Sequence, residues 1–287
     1  MSKSPIKVAV IPVAGLGRRF LPATKVMPKE MLPIVDKPIV QYATEEAKAA
    51  GIEKLIFITA PGKTSIEDHL SPHPDSDRDR IGPSLIEPVF KSDRCAFVRQ
   101  DKPRGLGHAV GRAQSWLPDE PFAVILPDEL FSCSQDNPLQ QMIKAHRKTG
   151  GSIIATQSVP RAQASNYGII DGESVDQNLY QIHTIREKPH TDLKDDNLAV
   201  VGRYILTPDI LSDIENIMTG EASEIQLTDA IARAIRRGSS FYGLSITGER
   251  FDCGQKAGFV AANLAFALKR KDISDDLKPY LQDLLGK

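Results

Sequence analysis

Residues 12–33 read PVAGLGRRFLPATKVMPKEMLP, and this stretch decides the reading of the chain. It follows an apolar run, Ile6 to Val13, that reads as a strand. The chain leaves that strand through Gly15 and Gly17, then sets down Arg18, Arg19, Lys25 and Lys29 before any helix begins. Four cations this close repel one another unless something anionic sits among them. A merely solvated basic loop needs no fixed backbone, whereas glycines and prolines fix one. Glycines let backbone N–H groups approach an anion, an arginine grips phosphate oxygens with a bidentate fork, and a lysine adds a point charge. The pattern is not G-x-x-x-x-G-K-[ST], since no Lys-Ser or Lys-Thr follows a second glycine. It is not G-x-G-x-x-G either, because position 20 is Phe, and that speaks against a nicotinamide dinucleotide site. The residues suit a triphosphate.

Outward from this loop, strand-like and helix-like segments alternate. KLIFITA (54–60), CAFVRQ (95–100) and FAVILPD (122–128) are apolar strands. PIVQYATEEAKAAG (38–51), GHAVGRAQSWL (107–117) and NPLQQMIKAHRKTG (137–150) read as helices, the first and last closing at glycine, and GKTSIEDHL opens a short one. Nearly continuous apolar strands separated by helices imply a mostly parallel central sheet with helices on both faces, hence an α/β fold. Right-handed crossovers gather the strand C-termini at one edge, where ligands bind in open α/β sheets. From Ser152 the pattern turns strand-rich, with SIIATQSV, YGIID, LYQIHTIREK and LAVVGRYIL. These predict added strands closing over that edge. IQLTDAIARAIRRG and KAGFVAANLAFALKRKD return to helix. One domain is expected over 1–270, in two parts at about 1–150 and about 151–254, with a helical tail at 271–287. Ser71 to Ser84, rich in Pro, Asp, Ser and Arg, reads as a surface loop.

The composition is that of an ordinary globular protein: 287 residues, 41% hydrophobic, 25% charged, net charge −1. The near-neutral balance argues against a nucleic-acid partner. No apolar run approaches the roughly 18 residues of a membrane helix, and MSKSPIK lacks a signal-peptide core. Cys95, Cys133 and Cys253 are widely spaced and odd in number, which points to a reducing cytoplasm and no zinc site.

Two aspartates add chemistry. Asp128 ends FAVILPD, and Asp252 follows SFYGLSI through a short turn, so each projects near the same sheet edge. Each alone reads equally well as a turn former. Together beside a phosphate site they suggest Mg²⁺, which takes one or two carboxylates, phosphate oxygens and waters. Glu187 and Lys188, in IREKP, stay undecided on local chemistry: neighbours on a strand point to opposite faces, and a bend at Pro189 could relax that.

In order, IPVAGLGRRFLPATKVMPKEMLPIVDKPIVQY, GLGHAV, ILPDEL, NYGII, REKP, NLAVVGRYIL, EIQLTDAI and FDCGQKAGF resemble the sugar-nucleotide pyrophosphorylases, specifically the bacterial UDP-glucose pyrophosphorylase (UTP–glucose-1-phosphate uridylyltransferase) family. The resemblance spans roughly residues 6 to 265. It implies a glycosyltransferase-A-like nucleotidyltransferase fold and an enzyme making UDP-glucose and pyrophosphate from UTP and glucose 1-phosphate with Mg²⁺. It also implies a homo-oligomer, dimer or tetramer. By resemblance, the backbone of Ala14 and Gly15 meets the uridine side, Gly17 the phosphates, and Arg19 and Lys29 hold the triphosphate. Gln100 and the backbone at Gly105 read the uracil edge. Asp128 and Asp252 bind Mg²⁺, Gly168 and Glu187 contact glucose hydroxyls, Lys188 takes the sugar phosphate, and Gly202 lines the sugar pocket. His108 has no role and is expected to be structural. The family loop reads G-x-G-T-R, so Arg18 is a departure that puts a further cation on the nucleotide side. The Ser71–Ser84 loop looks shorter than the family's insert, which bears on oligomeric state. Two other readings stay open: a pyrophosphorylase for another nucleotide such as dTTP, and a non-catalytic UDP-glucose-binding regulator.

Overall fold

The computed structural model describes residues 6–71, 89–220 and 224–286. Apart from Ser71, the expected loop of Ser71–Ser84 lies outside them. In chain order the elements are β1 (Val8–Pro12), β2 (Pro33–Ile34), β3 (Lys37–Pro38), α1 (Ile39–Ala49), β4 (Lys54–Thr59) and α2 (Thr64–Leu70). Next come β5 (Cys95–Arg99), α3 (Leu106–Arg112), β6 (Phe122–Ile125), β7 (Glu129–Ser132) and α4 (Pro138–Thr149). The second half holds β8 (Ser152–Pro160), α5 (Arg161–Ala164), β9 (Gly168–Asp176), β10 (Leu179–Glu187), β11 (Asp196–Leu206), α6 (Ile210–Met218) and α7 (Leu227–Arg236). It closes with β12 (Phe241–Ser245), β13 (Glu249–Asp252), α8 (Lys256–Leu268) and α9 (Lys271–Leu285). No helix among the described residues is long and apolar enough to cross a membrane.

A nine-stranded sheet runs β5-β4-β1-β6-β11-β8-β12-β10-β9. The first half is parallel, as its apolar strands require: β4 pairs β5, and β1 pairs both β4 and β6. Strand β11 then enters antiparallel to β6 and β8. The strand-rich half does not form a separate layer. Strand β9 pairs β10 and also β11, so β8 to β12 make a closed ring of pairings continuous with the main sheet. Side chains alternate between two cores. Ala9, Ile11, Leu55, Phe57, Ala123 and Ile125 pack under α1 and α4. Val8, Val10, Ile56, Ile58 and Val124 pack under α3, α6 and α7. Helix α4 starts at a capping box, Asn137 with Gln140, and stops at Gly150 in the left-handed conformation. Helix α6, absent from the sequence reading, carries an apolar stripe (Ile210, Ile214) too short to stand out between two loops.

Candidate active site

The glycine loop leaves β1 held from both sides. Val13 N–H donates to the Ile58 carbonyl at 2.8 Å. Lys63 donates to the Val13 carbonyl and pairs with Glu30 at 2.8 Å. Glu30 is fully buried, and its Oε1 has no partner among the described residues. Burial drives both groups toward neutrality, raising the Glu30 pKa and lowering that of Lys63. Gly17 has φ +61°, and its carbonyl accepts from the Thr24 hydroxyl at 2.7 Å. A side chain there would strain the backbone and crowd Thr24 at 3.1 Å and Lys29 at 3.3 Å. Arg18–Phe20 form a single 3₁₀ turn, and Phe20 meets Phe259 of α8 edge-on at 5.4 Å. Arg18 and Arg19 themselves remain exposed.

The two aspartates converge, by a route that differs from the sequence reading. Strand β6 stops at Ile125, so Asp128 sits in the turn that leads into β7. Asp252 is the last residue of a strand of its own, β13, paired antiparallel with β7 so that Asp252 faces Glu129. The Cys253 N–H donates to the Asp128 carbonyl at 2.8 Å and joins the two segments. Both carboxylates flank one point of space: a Cβ on Gly254 would lie 2.9 Å from Asp128 Oδ2 and 3.0 Å from Asp252 Oδ1. Glycine keeps that cradle open. Lys29 Nζ donates to Asp128 Oδ2 at 2.5 Å. Burial opposes both charges, yet this contact outweighs it, lowering the Asp128 pKa and, with Glu30, raising that of Lys29. Asp252 is pushed up by burial and, in part, by the Asp128 carboxylate. Among the described residues no group of three or more His, Cys, Asp or Glu could hold a metal ion. A hard cation such as Mg²⁺ asks for only one or two carboxylates, and the Asp128–Asp252 cradle is all-oxygen, anionic and open, so the residues fit it.

Three residues that sequence reasoning missed hold this pair. Arg203 of β11 is fully buried. It grips Glu46 of α1 in a bidentate fork (3.0 and 2.8 Å) and donates to the carbonyls of Leu126 (2.6 Å) and Glu129 (2.7 Å). Those carbonyls bracket Asp128. Glu129 in turn accepts a second fork, from Arg250 of β13, at 2.6 and 2.9 Å. Burial above all lifts the Glu129 carboxyl to about 7 despite that arginine. The available signal was an arginine inside the apolar run LAVVGRYIL, where an unpaired cation would be too costly to bury.

On the other side stand the strand ends of the ring. Glu187 ends β10, and Lys188 follows it with φ +41°. The bend falls at this left-handed residue and not at Pro189, where the sequence leaves it open: both side chains line one cavity, with Lys188 Nζ 3.4 Å from Glu187 Oε1. Thr228 at the start of α7 donates to Glu187 Oε2 at 2.9 Å. Gly168 brings the β9 backbone close, since a Cβ would lie 3.0 Å from Thr228 and 3.5 Å from Glu187. Gly202, φ +73°, sits where the β11–β8 register slips, and its carbonyl takes the Leu126 N–H at 2.8 Å.

These groups line two adjoining cavities. One, of about 220 Å³, holds Asp128, Glu129, Gly168, Glu187, Lys188, Gly202 and Asp252. The other, of about 650 Å³, holds Gly15, Gly17, Arg18, Lys29 and Gly254. Arg19 lines both. Ala14, Gln100 and Gly105 line neither. Ala14 is buried at the exit of β1, and Gln100 is also buried, its amide 3.3 Å from the Gly105 carbonyl and 2.6 Å from His108 Nδ1. His108 thus orients Gln100. Burial and the cations Arg104 and Arg112 lower its pKa.

The chain as a whole is similar to known nucleotidyl transferases. A family model for nucleotidyl transferases matches residues 8–268. The UTP–glucose-1-phosphate uridylyltransferase of Bacillus subtilis (strain 168) is 43% identical over 98% of both chains. The UTP-bound UGPase from Acinetobacter baumannii superposes with a TM-score of 0.87 at 36% identity, over 97% of this chain and 99% of that one. A UDP-glucose pyrophosphorylase solved with UDP-glucose gives 0.83 at 40% identity, over 92% and 100%.

Proposed function

The chain belongs to the nucleotidyl transferase family, and from that premise we propose that it makes UDP-glucose and pyrophosphate from UTP and glucose 1-phosphate. One observation carries the reading: Asp128 and Asp252 line the cavity of Glu187 and Lys188 and also touch Lys29 and Gly254 of the adjoining cavity, which the glycine loop and its cations line. The larger cavity suits a nucleoside triphosphate and the smaller a sugar phosphate.

In this reaction a phosphate oxygen of glucose 1-phosphate attacks the α-phosphorus of UTP in line. The new O–P bond forms as the bond from the α-phosphorus to the bridging oxygen breaks, and pyrophosphate leaves with that electron pair. The nucleophile is already ionised, so no general base is needed. The difficulty is bringing two anions together. Arg19 and Lys29 hold the triphosphate, Lys188 holds the sugar phosphate, and the three cations offset the repulsion while fixing the attack line. Gly17 leaves room for the phosphates beside Lys29, and the backbone at Gly15 meets the uridine side. Glu187, held by Thr228, accepts from glucose hydroxyls, with Gly168 and Gly202 giving the ring its space. Ala14, Gln100 and Gly105 line neither cavity, and their part at the base rests on the family resemblance alone. Asp128 and Asp252 would hold Mg²⁺, which supplies charge neutralisation and Lewis acidity at the phosphates.

The nucleotide part falls at about 1–150, the sugar part at about 151–254, and α9 forms the tail. Exposed apolar residues on α8 and α9, Val260 and Leu264 with Tyr280 and Leu284, favour a homo-oligomer. Cys95, Cys133 and Cys253 are free thiols, which suits the cytoplasm. A pyrophosphate-release assay crossing UTP, dTTP and other triphosphates with several sugar 1-phosphates tests the reading. UTP with glucose 1-phosphate should give the highest kcat/KM. A dTTP preference would move the chain to thymidylyl transfer, and no turnover with any pair would leave it a binding protein.

A further inference from the structure

Arg250 lies outside both cavities, yet it touches each half of the site. Its fork closes on Glu129, the residue after Asp128 and the one that faces Asp252 across the β7–β13 pairing. It sits two residues before Asp252 on the same strand, so the pairing of β7 with β13 and the fork across it fix one another. The other face of the guanidinium lies over the Tyr167 ring, 4.9 Å from its centroid, with Nη1 3.5 Å from the Tyr167 hydroxyl. Tyr167 precedes Gly168, and its carbonyl accepts the Lys188 N–H at 3.0 Å. That hydrogen bond holds the left-handed residue whose side chain enters the smaller cavity. The Arg250 side chain is only 7% exposed, and that of Glu129 only 13%. A fork and a flat cationic face are both needed, which arginine supplies and lysine does not.

We infer that Arg250 is a positioning residue: through Glu129 it sets the two aspartates, through Tyr167 it sets Lys188, and so it fixes the distance between the nucleotide half and the sugar-phosphate half. This rests on the substrate reading above. The role acts on the sugar-phosphate side through Lys188, and independent structural damage does not. Arg250→Met should therefore raise the KM for glucose 1-phosphate at least tenfold and lower kcat, while the Kd for UTP, titrated without Mg²⁺ and without sugar phosphate so that the aspartates carry no metal, stays within twofold. Arg250→Lys, which keeps the charge and loses the fork, should fall between, and it carries the test if Arg250→Met does not fold. The decisive comparison is with Lys188→Ala. If Arg250 works through Lys188, the double variant Lys188→Ala with Arg250→Met raises that KM by less than the product of the two single effects. Multiplicative effects, or equal losses toward UTP and glucose 1-phosphate, would overturn the positioning role. Wild-type protein in the same assay is judged by itself: no product from UTP and glucose 1-phosphate overturns the substrate reading, whereas normal wild-type turnover with independent Arg250 and Lys188 effects overturns only the inference about Arg250.

Discussion

Replacing Arg203 by Met separates two kinds of damage that usually travel together. Arg203 has no exposure at all, and its partner Glu46 is 10% exposed. Methionine fills similar volume but leaves the Glu46 carboxylate buried without its cation, and the Leu126 and Glu129 carbonyls without their donor. Breaking a buried pair from one side costs about 3–5 kcal/mol, because a charge stays behind. Removing both partners leaves no such charge, and exchange for apolar groups is often close to neutral. Glu46→Leu with Arg203→Met should therefore regain at least ~2 kcal/mol over the single variant. Turnover should behave differently. The carbonyls that bracket Asp128 stay ungripped in both variants, and a misplacement of ~1 Å at such a site costs about a hundredfold. Denaturant unfolding gives the first quantity and pyrophosphate release the second. A double variant as unstable as the single one would refute the pair energetics. A double variant with wild-type turnover would refute the claim that Arg203 positions Asp128.

Asp128→Asn and Asp252→Asn should each lower turnover by roughly a thousandfold or more and weaken Mn²⁺ binding in direct titration, with the fold intact; near-normal rates at limiting Mg²⁺ would remove that residue from the ligand set. Arg18, exposed on the larger cavity and without a side-chain partner among the described residues, should make a charge-assisted contact of ~1.5–3 kcal/mol with the triphosphate. Arg18→Thr should then weaken UTP and pyrophosphate binding and flatten their salt dependence while leaving UDP-glucose binding little changed; unchanged affinities at low salt would make it a solvated substitution. Glu129 predicts a pH effect. Its carboxyl titrates near 7 in the fold against 4.5 when free, so between those values the folded state binds more proton than the unfolded chain. Its contribution is fully present below about 4.5 and is lost as pH rises through 7. Glu129→Gln should flatten stability over that window in a series of melts, and an unaltered slope would place the titration elsewhere.

The parallel half of the sheet was legible because its strands are buried on both faces, and continuous apolar runs such as KLIFIT announce that. The second half was legible as strands but not as topology. Alternation says which face is buried, not which strand is the neighbour. That β9 pairs with both β10 and β11 depends on contacts between residues such as Ile170 and Leu198, far apart in the chain. Strand β13 escaped notice for a related reason: ERFD is short and polar, and it is a strand only because β7 lies beside it.

The site divides along the same line. Residues proposed to meet a ligand belong to short stretches with odd chemistry, such as two glycines before two arginines, which a local reading singles out. Residues that hold those in place work by contacts across the fold. Lys29 reaches Asp128 across 99 positions, Arg203 reaches Glu46 across 157, and Arg250 reaches Glu129 across 121. Each joins a cation to an acid that would be too costly to bury alone. Two acids in adjacent positions, Asp128 and Glu129, thus get different partners and opposite pKa shifts. Nothing in the text DE distinguishes them. For Asp128 a lysine from the glycine loop, on the nucleotide side, outweighs burial, whereas burial, helped by the carboxylates of Asp252 and Asp128, raises Glu129 despite a forked arginine that lies outside both cavities. The loop lysine sits where an incoming phosphate would compete for it, whereas the fork is closed on both oxygens of its acid. That asymmetry is why Asp128 reads as the acid left available to a ligand and Glu129 as the one that keeps its neighbours in place.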